Sequence, residues 1–382
     1  MRNQTRTFKP LVTAAAVAVI VGAAAISGRA DAPNYNVQTS GVFDAYYLYQ
    51  FNNPKPGTLG LRFYDFRHNT PTLALGELNV FKNAKPGGDP GFKVTLGAGD
   101  VADINGANAT PQTPEGRFKS LLQAYGTYAF AGGGGIDFGK FYTPFGYELT
   151  ESNLNFNETH SVPFGYIPFY NTGFRAYTPS YNGLVLTGFI TQAIYNTAVA
   201  GVEDDNGQPA FMGNATWTDP NGKWILAESF GMDKDKLNLF FGAPPGGPNN
   251  KVTVSDTDIT YNITPNQLVA GDFTYAKTDP DSNALGIVKA TYTGWAVYFK
   301  QVLDPKSNVA LRYSGGTQEV SGMSDVKPWE ATITYQHSPT PNFITRVEYQ
   351  HSGSNVAQFM DSAGAPTKKD QDTLEVAGIF TF

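Results

Sequence analysis

The sequence has no cysteine, little charge and a single long apolar run, and each of these features excludes a class of protein. Without cysteine there can be no disulfide, no thiolate metal site, no cysteine nucleophile and no lipid on a lipobox cysteine. Charged residues make up 16% of the 382 residues, whereas aromatic residues reach 14% and the chain holds 41 glycines and 25 prolines. This composition favours strands and turns over helices.

The one long apolar run lies at the N-terminus and is typical of an export signal. Basic residues precede the run from Leu11 to Ile26, as in the basic and apolar regions of a signal peptide. We predict a signal peptide over residues 1–30, cleaved between residues 25 and 32, with a membrane anchor as the alternative. No later window is long and apolar enough for a transmembrane helix.

Loss of the signal peptide would make the chain more acidic. Removing its four basic residues from the total of 27 leaves 23 basic against 33 acidic residues, a net charge of −10. This balance argues against nucleic acid as a partner.

From residue 41 onward, apolar and polar residues alternate with the period of two that is typical of β-strands. In the segment 42–51, one face carries Phe43, Ala45, Tyr47, Tyr49 and Phe51. In the last ten residues, Leu374, Val376, Gly378, Phe380 and Phe382 face one way and Thr373, Glu375 and Thr381 the other. A soluble β-sandwich buries such an apolar face in a core, whereas a transmembrane barrel turns it toward lipid.

Strand and loop lengths favour the barrel over the sandwich. Many segments run about ten residues, close to the ~9–11 that a tilted strand needs to cross a bilayer. Short connections such as 219–222 and 304–308 alternate with long ones such as 143–172 and 353–371, as in outer-membrane barrels. We therefore predict an all-β fold: a transmembrane antiparallel β-barrel over residues 33–382. Sixteen strands put both termini on the periplasmic side, with fourteen or eighteen as alternatives.

Motif-like stretches do not carry the chemistry that their spacing suggests. Residues 134–141 have the spacing of a phosphate-binding loop, but Phe141 stands where Ser or Thr is needed. Residues 279–290 have EF-hand spacing but lack its glycine and its final glutamate. The four histidines, His68, His160, His337 and His351, are scattered. We predict no metal, no cofactor and no catalytic residue, although a hydrolase in the barrel wall stays an alternative, because catalytic residues need only meet in space.

The connection 143–172, which follows the fifth strand, is the strongest functional candidate. At thirty residues it far exceeds the usual length of a connection. Its aromatic residues are Phe145, Tyr147, Phe156, Phe164, Tyr166, Phe169 and Tyr170, and its ionisable residues include Glu148, Glu151, Glu158 and His160. If this loop folds into the lumen, the aromatic rings pack on the wall and the carboxylates face the channel. The alternative is a loop that covers the barrel mouth or contacts a neighbouring subunit.

A constriction needs charges on the wall as well as on the loop. The candidate wall cations are Lys140, Arg175, Arg312 and Arg346. Opposed charges would order water and favour small polar solutes over apolar solutes of similar size. The aromatic rings either stack on sugars or serve packing alone.

Three stretches carry a resemblance to a known family. Residues 61–100 contain an F-x-x-F…N…L-x-x-x-E-L block, residues 123–130 a Q-A-Y strand, and residues 136–177 the sequence GKFYTPFGYE before an aromatic-rich loop. They resemble the OmpL-like β-barrel porins of porin family 2. The resemblance implies a Gram-negative outer-membrane pore with its constriction loop after the fifth strand. It also implies that the terminal Phe382 is a signal read by the barrel-assembly machinery.

The function predicted from these features is passive diffusion of small hydrophilic solutes or ions through a water-filled barrel in the outer membrane of a Gram-negative bacterium. The expected partners are outer-membrane lipid, the solutes and the assembly machinery. Solute identity, ion preference and a homo-oligomeric state such as a trimer stay open. The alternatives are a channel selective for sugars or anions, a barrel-embedded hydrolase and a secreted β-sandwich binding protein.

Overall fold

The computed structural model describes residues 36–54, 62–106, 120–195, 207–235, 250–280 and 289–382. The predicted signal peptide and most of the EF-hand-like stretch lie outside these residues. Within the described ranges, no helix is both long and apolar enough to cross a membrane.

Sixteen antiparallel strands close into a barrel. They are β1 Gln38–Gln50, β2 Pro71–Lys82, β3 Gly91–Ala98, β4 Leu121–Ala129, β5 Gly135–Tyr142, β6 Tyr170–Tyr177, β7 Leu184–Thr191, β8 Ala210–Thr218, β9 Trp224–Asp235, β10 Asn250–Thr264, β11 Gln267–Pro280, β12 Ala290–Asp304, β13 Ser307–Val320, β14 Pro328–Thr340, β15 Phe343–Ser354 and β18 Asp370–Thr381. The short strands β16 Phe359–Met360 and β17 Pro366–Lys368 form a separate ribbon, and helix α1 spans Asp100–Gly106. Because β18 pairs with both β15 and β1, the wall has no free edge, which rules out the sandwich.

The period-two pattern separates the outer surface of the wall from its inner surface. In β18, Leu374 and Val376 are 40% and 49% exposed, whereas Glu375 between them is buried. In β1, Phe43 is exposed and Asp44 is buried. The faces predicted for the first and last strands are therefore confirmed: aromatic and aliphatic residues cover the outside, and polar residues line the lumen.

Short turns gather at one end of the barrel, termed the turn rim. Three of them join β10 to β11, β12 to β13 and β14 to β15, and lie between Thr264 and Gln267, Asp304 and Ser307, and Thr340 and Phe343. The start of β1 and the end of β18 lie at the same rim, since β1 runs antiparallel to β18. The alternation of short and long connections predicts this rim as the periplasmic one.

The seam between β1 and β18 ends in a tight contact between Gly41 and Phe382. The two residues exchange backbone hydrogen bonds of 3.0 and 3.1 Å. The Phe382 ring stacks on Phe43 with 5.9 Å between the ring centroids, and it fills the space that a Cβ atom on Gly41 would occupy. A larger residue at position 41 would therefore displace the aromatic ring that covers the seam.

Candidate channel constriction

Residues 143–169, termed the inserted segment, connect β5 to β6 and run through the lumen. The segment contains two short 3₁₀ turns, Ser152–Leu154 and Pro163–Tyr166. Near its start, the Ser229 hydroxyl on β9 donates to the Pro144 carbonyl at 2.7 Å. Further anchors lie on β1, where Asp44 accepts the Ser152 hydroxyl, on β12, where the Tyr298 hydroxyl donates to Ser161, and on β10 and β13 to β15. The predicted loop of 143–172 is three residues too long, because Tyr170 is already the first residue of β6.

Arg312 on β13 anchors the segment with a fully buried guanidinium group. Its Nη1 donates to Glu148 Oε1 at 2.8 Å and to the Thr159 carbonyl, and its Nη2 donates to the Thr159 hydroxyl at 2.8 Å. Its Nε donates to Glu330 Oε1 on β14, also at 2.8 Å. Hydrogen bonds between charged groups are stronger than neutral ones, so this side chain fixes the segment to the wall.

Arg346 on β15 forms a second anchor further along the lumen. Its Nη1 donates to the carbonyls of Ser152 and Asn157 at 2.8 and 3.1 Å and to Glu158 Oε2 at 3.0 Å. Its Nη2 donates to the Asn155 carbonyl at 2.8 Å. The carbonyls of Asn155 and Asn157 thus find a donor in an irregular part of the chain, and that of Ser152 gains a second one beside the Asn155 N–H.

Glu348, two residues beyond Arg346 on the inner face of β15, supplies the matching acceptor. It accepts the backbone N–H groups of Glu158 and Thr159 at 2.6 and 3.2 Å and the Thr334 hydroxyl at 2.6 Å. The wall therefore satisfies donors and acceptors of the same short stretch, residues 152–159. This explains how an irregular chain can lie at membrane depth inside the barrel.

The carboxylates of the segment differ from the predicted arrangement. The sequence predicts that Glu148 and Glu158 face open water across from wall cations. Instead, each pairs directly with an arginine, at 2.8 and 3.0 Å, and both are buried. The physical reason is that a charge removed from water must be paired close by. Direct pairing cancels most of the transverse field expected from these residues.

Glu151 and His160 belong to the packed interior of the segment. Glu151 is buried, and burial together with the negative charge of Glu77 raises the pKa of its carboxyl group. The His160 Nε2 atom lies 2.8 Å from the Leu149 carbonyl oxygen, and its ring centroid lies 4.0 Å from that of Phe164. Burial lowers the pKa of this imidazole. Both side chains are buried within the segment, and their role as channel-facing charges stays a prediction.

Lys140 lies on β5 between the inward residues Asp137 and Phe141, both of which are buried. Its Nζ atom donates to the Leu121 carbonyl at 2.8 Å and lies 3.9 Å from the Tyr170 ring centroid. Its role as a wall cation opposite the segment stays a prediction.

Arg175 lies on the inner face of β6 but does not oppose the inserted segment. Its Nε atom is 2.7 Å from Asp137 Oδ2 on the adjacent strand. Its guanidinium carbon also lies 4.7 and 5.2 Å from the ring centroids of Phe141 and Tyr125. Among the described ion pairs, those of Arg312 and Arg346 join two of the four predicted wall cations to carboxylates of the segment.

The aromatic residues of the segment pack against the wall and against one another. Phe145 is 2% exposed in the main apolar cluster of the lumen. Its ring pairs, with centroid distances, include Tyr166 with Tyr292 (4.3 Å), Tyr147 with Tyr298 (4.9 Å), Phe164 with Phe169 (5.2 Å) and Tyr147 with Phe156 (5.9 Å). These contacts add apolar packing to the arginine anchors.

The end of the first long connection, residues 62–70, also reaches the lumen, which the sequence analysis missed. Arg62 donates to Gln350 Oε1 on β15 at 2.7 Å and pairs with Asp65 at 2.6 Å. The Tyr64 hydroxyl donates to Asn105 Oδ1 at 3.0 Å. The only sequence signal for this insertion is the mixture of aromatic and charged residues in LRFYDFRH, which is unusual for a solvent-exposed loop.

The wall beside the start of the segment is acidic. Carboxylate oxygens of Asp256, Asp258 and Asp272 lie within 4.8 Å of one another. Oxygen ligands at this spacing suit a hard divalent cation. Asp256, however, already accepts the Gly146 N–H at 2.7 Å and the Thr274 hydroxyl at 2.5 Å. The cluster thus anchors the start of the segment through Asp256.

A closed sixteen-stranded wall that is apolar outside and polar inside, crossed by a segment between β5 and β6, defines an outer-membrane porin. The chain belongs to the family described as "Putative beta-barrel porin-2, OmpL-like", whose family model matches residues 36–382. It is an outer-membrane channel protein of a Gram-negative bacterium.

Solved structures of outer-membrane proteins share this fold. An anion-selective porin from Comamonas acidovorans is 13% identical with a TM-score of 0.62, covering 91% of this chain and 99% of that chain. The outer-membrane channel DcaP of Acinetobacter baumannii is 12% identical with a TM-score of 0.62, covering 91% and 97%. OmpT of Vibrio cholerae in a trimer form is 11% identical with a TM-score of 0.56, covering 91% and 99%. No curated protein matches the sequence.

Proposed function

We propose that the barrel is a passive diffusion channel for small hydrophilic solutes or ions, narrowed by the inserted segment. The observation that carries this proposal is the double anchoring of the segment by the buried side chains of Arg312 and Arg346. A segment held only at its ends would fluctuate in the lumen. Two buried guanidinium groups fix its position, and a fixed position sets the diameter of the narrowest point.

The charges around these anchors favour cations over anions. Two guanidinium groups, of Arg312 and Arg346, face four carboxylates: Glu148, Glu158, Glu330 and Glu348. The cluster of Asp256, Asp258 and Asp272 adds three further carboxyl groups to this wall. A lumen with excess negative charge attracts cations and repels anions.

Planar-bilayer recording tests both statements. We expect purified, folded protein to produce stepwise conductance, because each inserted barrel adds one aqueous path. Under a salt gradient, we expect a reversal potential on the cation-selective side. A folded barrel that produces no steps would contradict the channel proposal. A reversal potential on the anion side would contradict only the proposed ion preference.

A second candidate function is a channel selective for solutes that carry an apolar ring or chain. A cavity of about 400 Å³ beside the segment is lined by Tyr147, Phe156 and Tyr298 and by Leu149 and Leu154. The two leucines are 47% and 58% exposed, which is unusual inside an aqueous lumen. Apolar pockets of about this size are typical small-molecule sites.

The cavity predicts a measurable block of the channel. We expect a neutral phenyl glycoside to interrupt the current at concentrations where methyl glucoside does not, because only the phenyl ring can pack on the leucines. Leu154→Ser should weaken this block roughly tenfold, since burying a leucine-sized apolar contact contributes about 1.5–3 kcal/mol. Equal block by both glycosides, or no effect of the substitution, would remove this candidate and leave general diffusion.

We infer that the protein is not an enzyme. The Ser307 hydroxyl lies 3.0 Å from His337 Nδ1, which is hydrogen-bonding distance for a nucleophile and its base. Ser307 is buried, however, and its oxygen also accepts the Tyr335 hydroxyl at 3.4 Å. An attacking oxygen must be reachable by substrate, so this pair is better read as a contact that fixes the turn rim.

We also propose that the channel assembles with copies of itself, with outer-membrane lipid around the remaining wall. The similar OmpT of Vibrio cholerae occurs in a trimer form, and this likeness supports the proposal. The barrel-assembly machinery is the proposed partner during insertion, through β18 and Phe382.

A further inference from the structure

A small cavity lies on the inner side of the seam between β1 and β18. It measures about 20 Å³, which is enough for one water molecule or for one ion without its hydration shell. Four buried carboxylate residues contribute to its lining, and we call them the cavity carboxylates: Asp44, Asp65, Glu158 and Glu375. They belong to β1, to the connection 62–70, to the inserted segment and to β18, so the cavity forms only where these four parts of the chain meet.

Glu375 is buried without a hydrogen-bond partner. It lies on the inner face of β18 and is 2% exposed. Among the residues that the structure describes, neither of its carboxylate oxygens has a hydrogen-bond partner. The residue opposite it on β15 is Glu348, which is also buried, and like charges in facing positions of a sheet repel each other. An ionised Glu375 is therefore unfavourable unless a cation lies next to it.

The side chains around Glu375 do not supply that cation. Asp65 and Glu158 are close enough to repel its carboxylate, and Arg62 is close enough to attract it. Arg62, however, forms its described ion pair with Asp65, at 2.6 Å. Its positive charge is thus already offset by a carboxylate other than Glu375.

The charges around the cavity leave a deficit of two. The cavity carboxylates carry four negative charges when ionised, and their described arginine partners, Arg62 and Arg346, carry two positive charges. Asp44 accepts the Ser152 hydroxyl through Oδ2, and its Oδ1 has no hydrogen-bond partner among the described residues. The two negative charges that remain in this buried place match a single divalent cation.

The lining of the cavity favours Ca²⁺ among the divalent cations. Thr150 and Ser152, which carry hydroxyl groups, join the carboxylates in the lining, so the ligands on offer are oxygen atoms. Oxygen ligands suit both Ca²⁺ and Mg²⁺, but Mg²⁺ gives up its water reluctantly. A cavity of about 20 Å³ has no room for a hydrated ion. Ca²⁺ therefore fits this site better than Mg²⁺.

The acidic cluster on β10 and β11 is the competing site. Asp256, Asp258 and Asp272 bring carboxylate oxygens within 4.8 Å of one another, closer than any three of the cavity carboxylates. Asp256, however, is engaged by the Gly146 N–H at 2.7 Å. The oxygens of Glu375 have no such contact among the described residues, so this carboxylate can turn toward an ion.

We propose that the cavity binds one Ca²⁺ ion, with Glu375 as a direct ligand and Asp65 beside it. The ion joins the two strands of the seam to the two parts of the chain that meet them in the lumen, residues 62–70 and the inserted segment. Ca²⁺ thereby stabilises the closed barrel at the place where its first and last strands pair. Passive diffusion needs no such ion, so this inference stands apart from the proposed function.

Calorimetric titration of the purified, folded barrel in detergent tests the site. After treatment with EDTA and dialysis, we expect one saturable Ca²⁺ site, and Mg²⁺ binding that is weaker by roughly tenfold or more. Glu375→Gln keeps the size of the side chain and removes its charge, so it should weaken Ca²⁺ binding roughly tenfold or more, because the number of charged ligands tunes the affinity. The matched control is Asp258→Asn, which neutralises a carboxylate of the competing cluster and should leave the Ca²⁺ affinity unchanged.

Two results of this titration would overturn the assignment. If the unsubstituted barrel shows no saturable Ca²⁺ binding, the cavity carboxylates are neutralised by protons and not by a metal ion. If Asp258→Asn abolishes binding while Glu375→Gln leaves it unchanged, the ion binds at the competing cluster.

Thermal stability provides a second measurement, whose first part needs no variant. We expect EDTA to lower the temperature at which the unsubstituted barrel, heated in detergent, loses its folded band on an SDS gel, and added Ca²⁺ to restore it. The reason is that a ligand of the folded state alone stabilises that state. Glu375→Gln should make this temperature insensitive to EDTA. No EDTA effect on the unsubstituted barrel, or an equal effect on the variant, would contradict a Ca²⁺ ion in the cavity, while bilayer conductance tests the channel separately.

Discussion

Replacing Arg346 with alanine is expected to raise single-channel conductance roughly twofold or more, because conductance follows the cross-section of the narrowest point. The substitution leaves Glu158 buried without its guanidinium partner and removes the arginine donor from three backbone carbonyls, of which that of Ser152 keeps the Asn155 N–H. Breaking a buried ion pair costs about 3–5 kcal/mol, enough to detach residues 152–159 from the wall. Arg312→Ala should act in the same direction through Glu148, and the double variant should show more current noise than either.

The matched control for these variants is Arg175→Ala. Arg175 is also an inward arginine with a carboxylate partner, but that partner is Asp137 on the adjacent strand and not the inserted segment. Its loss should leave conductance close to that of the unsubstituted channel. If Arg346→Ala and Arg312→Ala also leave it unchanged, the inserted segment does not set the pore diameter.

Removing Phe382 is expected to lower the amount of folded barrel in the outer membrane roughly tenfold. The deletion abolishes two backbone hydrogen bonds to Gly41 and the ring contact with Phe43 at the end of the seam. A hydrogen bond contributes about 0.5–1.5 kcal/mol and an aromatic pair a similar amount, and 1.4 kcal/mol is a factor of ten. Folded protein is measured as the band that shifts between unboiled and boiled samples on an SDS gel.

Phe343→Ala provides the comparison for the seam. Phe343 is likewise an outward aromatic residue at the turn rim, 39% exposed, but it lies at the start of β15, where the wall is continuous. Its loss should reduce the folded band far less than loss of Phe382. Equal effects of the two changes would mean that rim aromatics in general, and not the seam contact, determine the yield.

The barrel could be predicted because each strand carries its own signal. The alternation of apolar and polar residues, as in Leu374, Glu375 and Val376, indicates which side chains face lipid and which face the lumen. The alternation of short and long connections indicates the number of strands. The same alternation of residues indicates that Arg312 and Arg346 face the lumen. These signals are local, so a single sequence contains them.

The arrangement of the constriction could not be predicted, because its partners are distant in the chain. The pairing of Glu148 with Arg312 joins residues 164 positions apart, and no local pattern specifies it. The same holds for Arg62 with Gln350, 288 positions apart.

The anchoring of the inserted segment also fixes an order of events during biogenesis. The segment leaves the wall after β5, yet its main anchors stand on β13 to β15, the last third of the chain to be synthesised. Contacts between such distant residues form late, because the intervening chain must be placed first. A barrel without its C-terminal strands therefore holds the segment only through contacts such as Ser152 with Asp44 on β1. The two arginine anchors form only when the C-terminal strands have joined the wall.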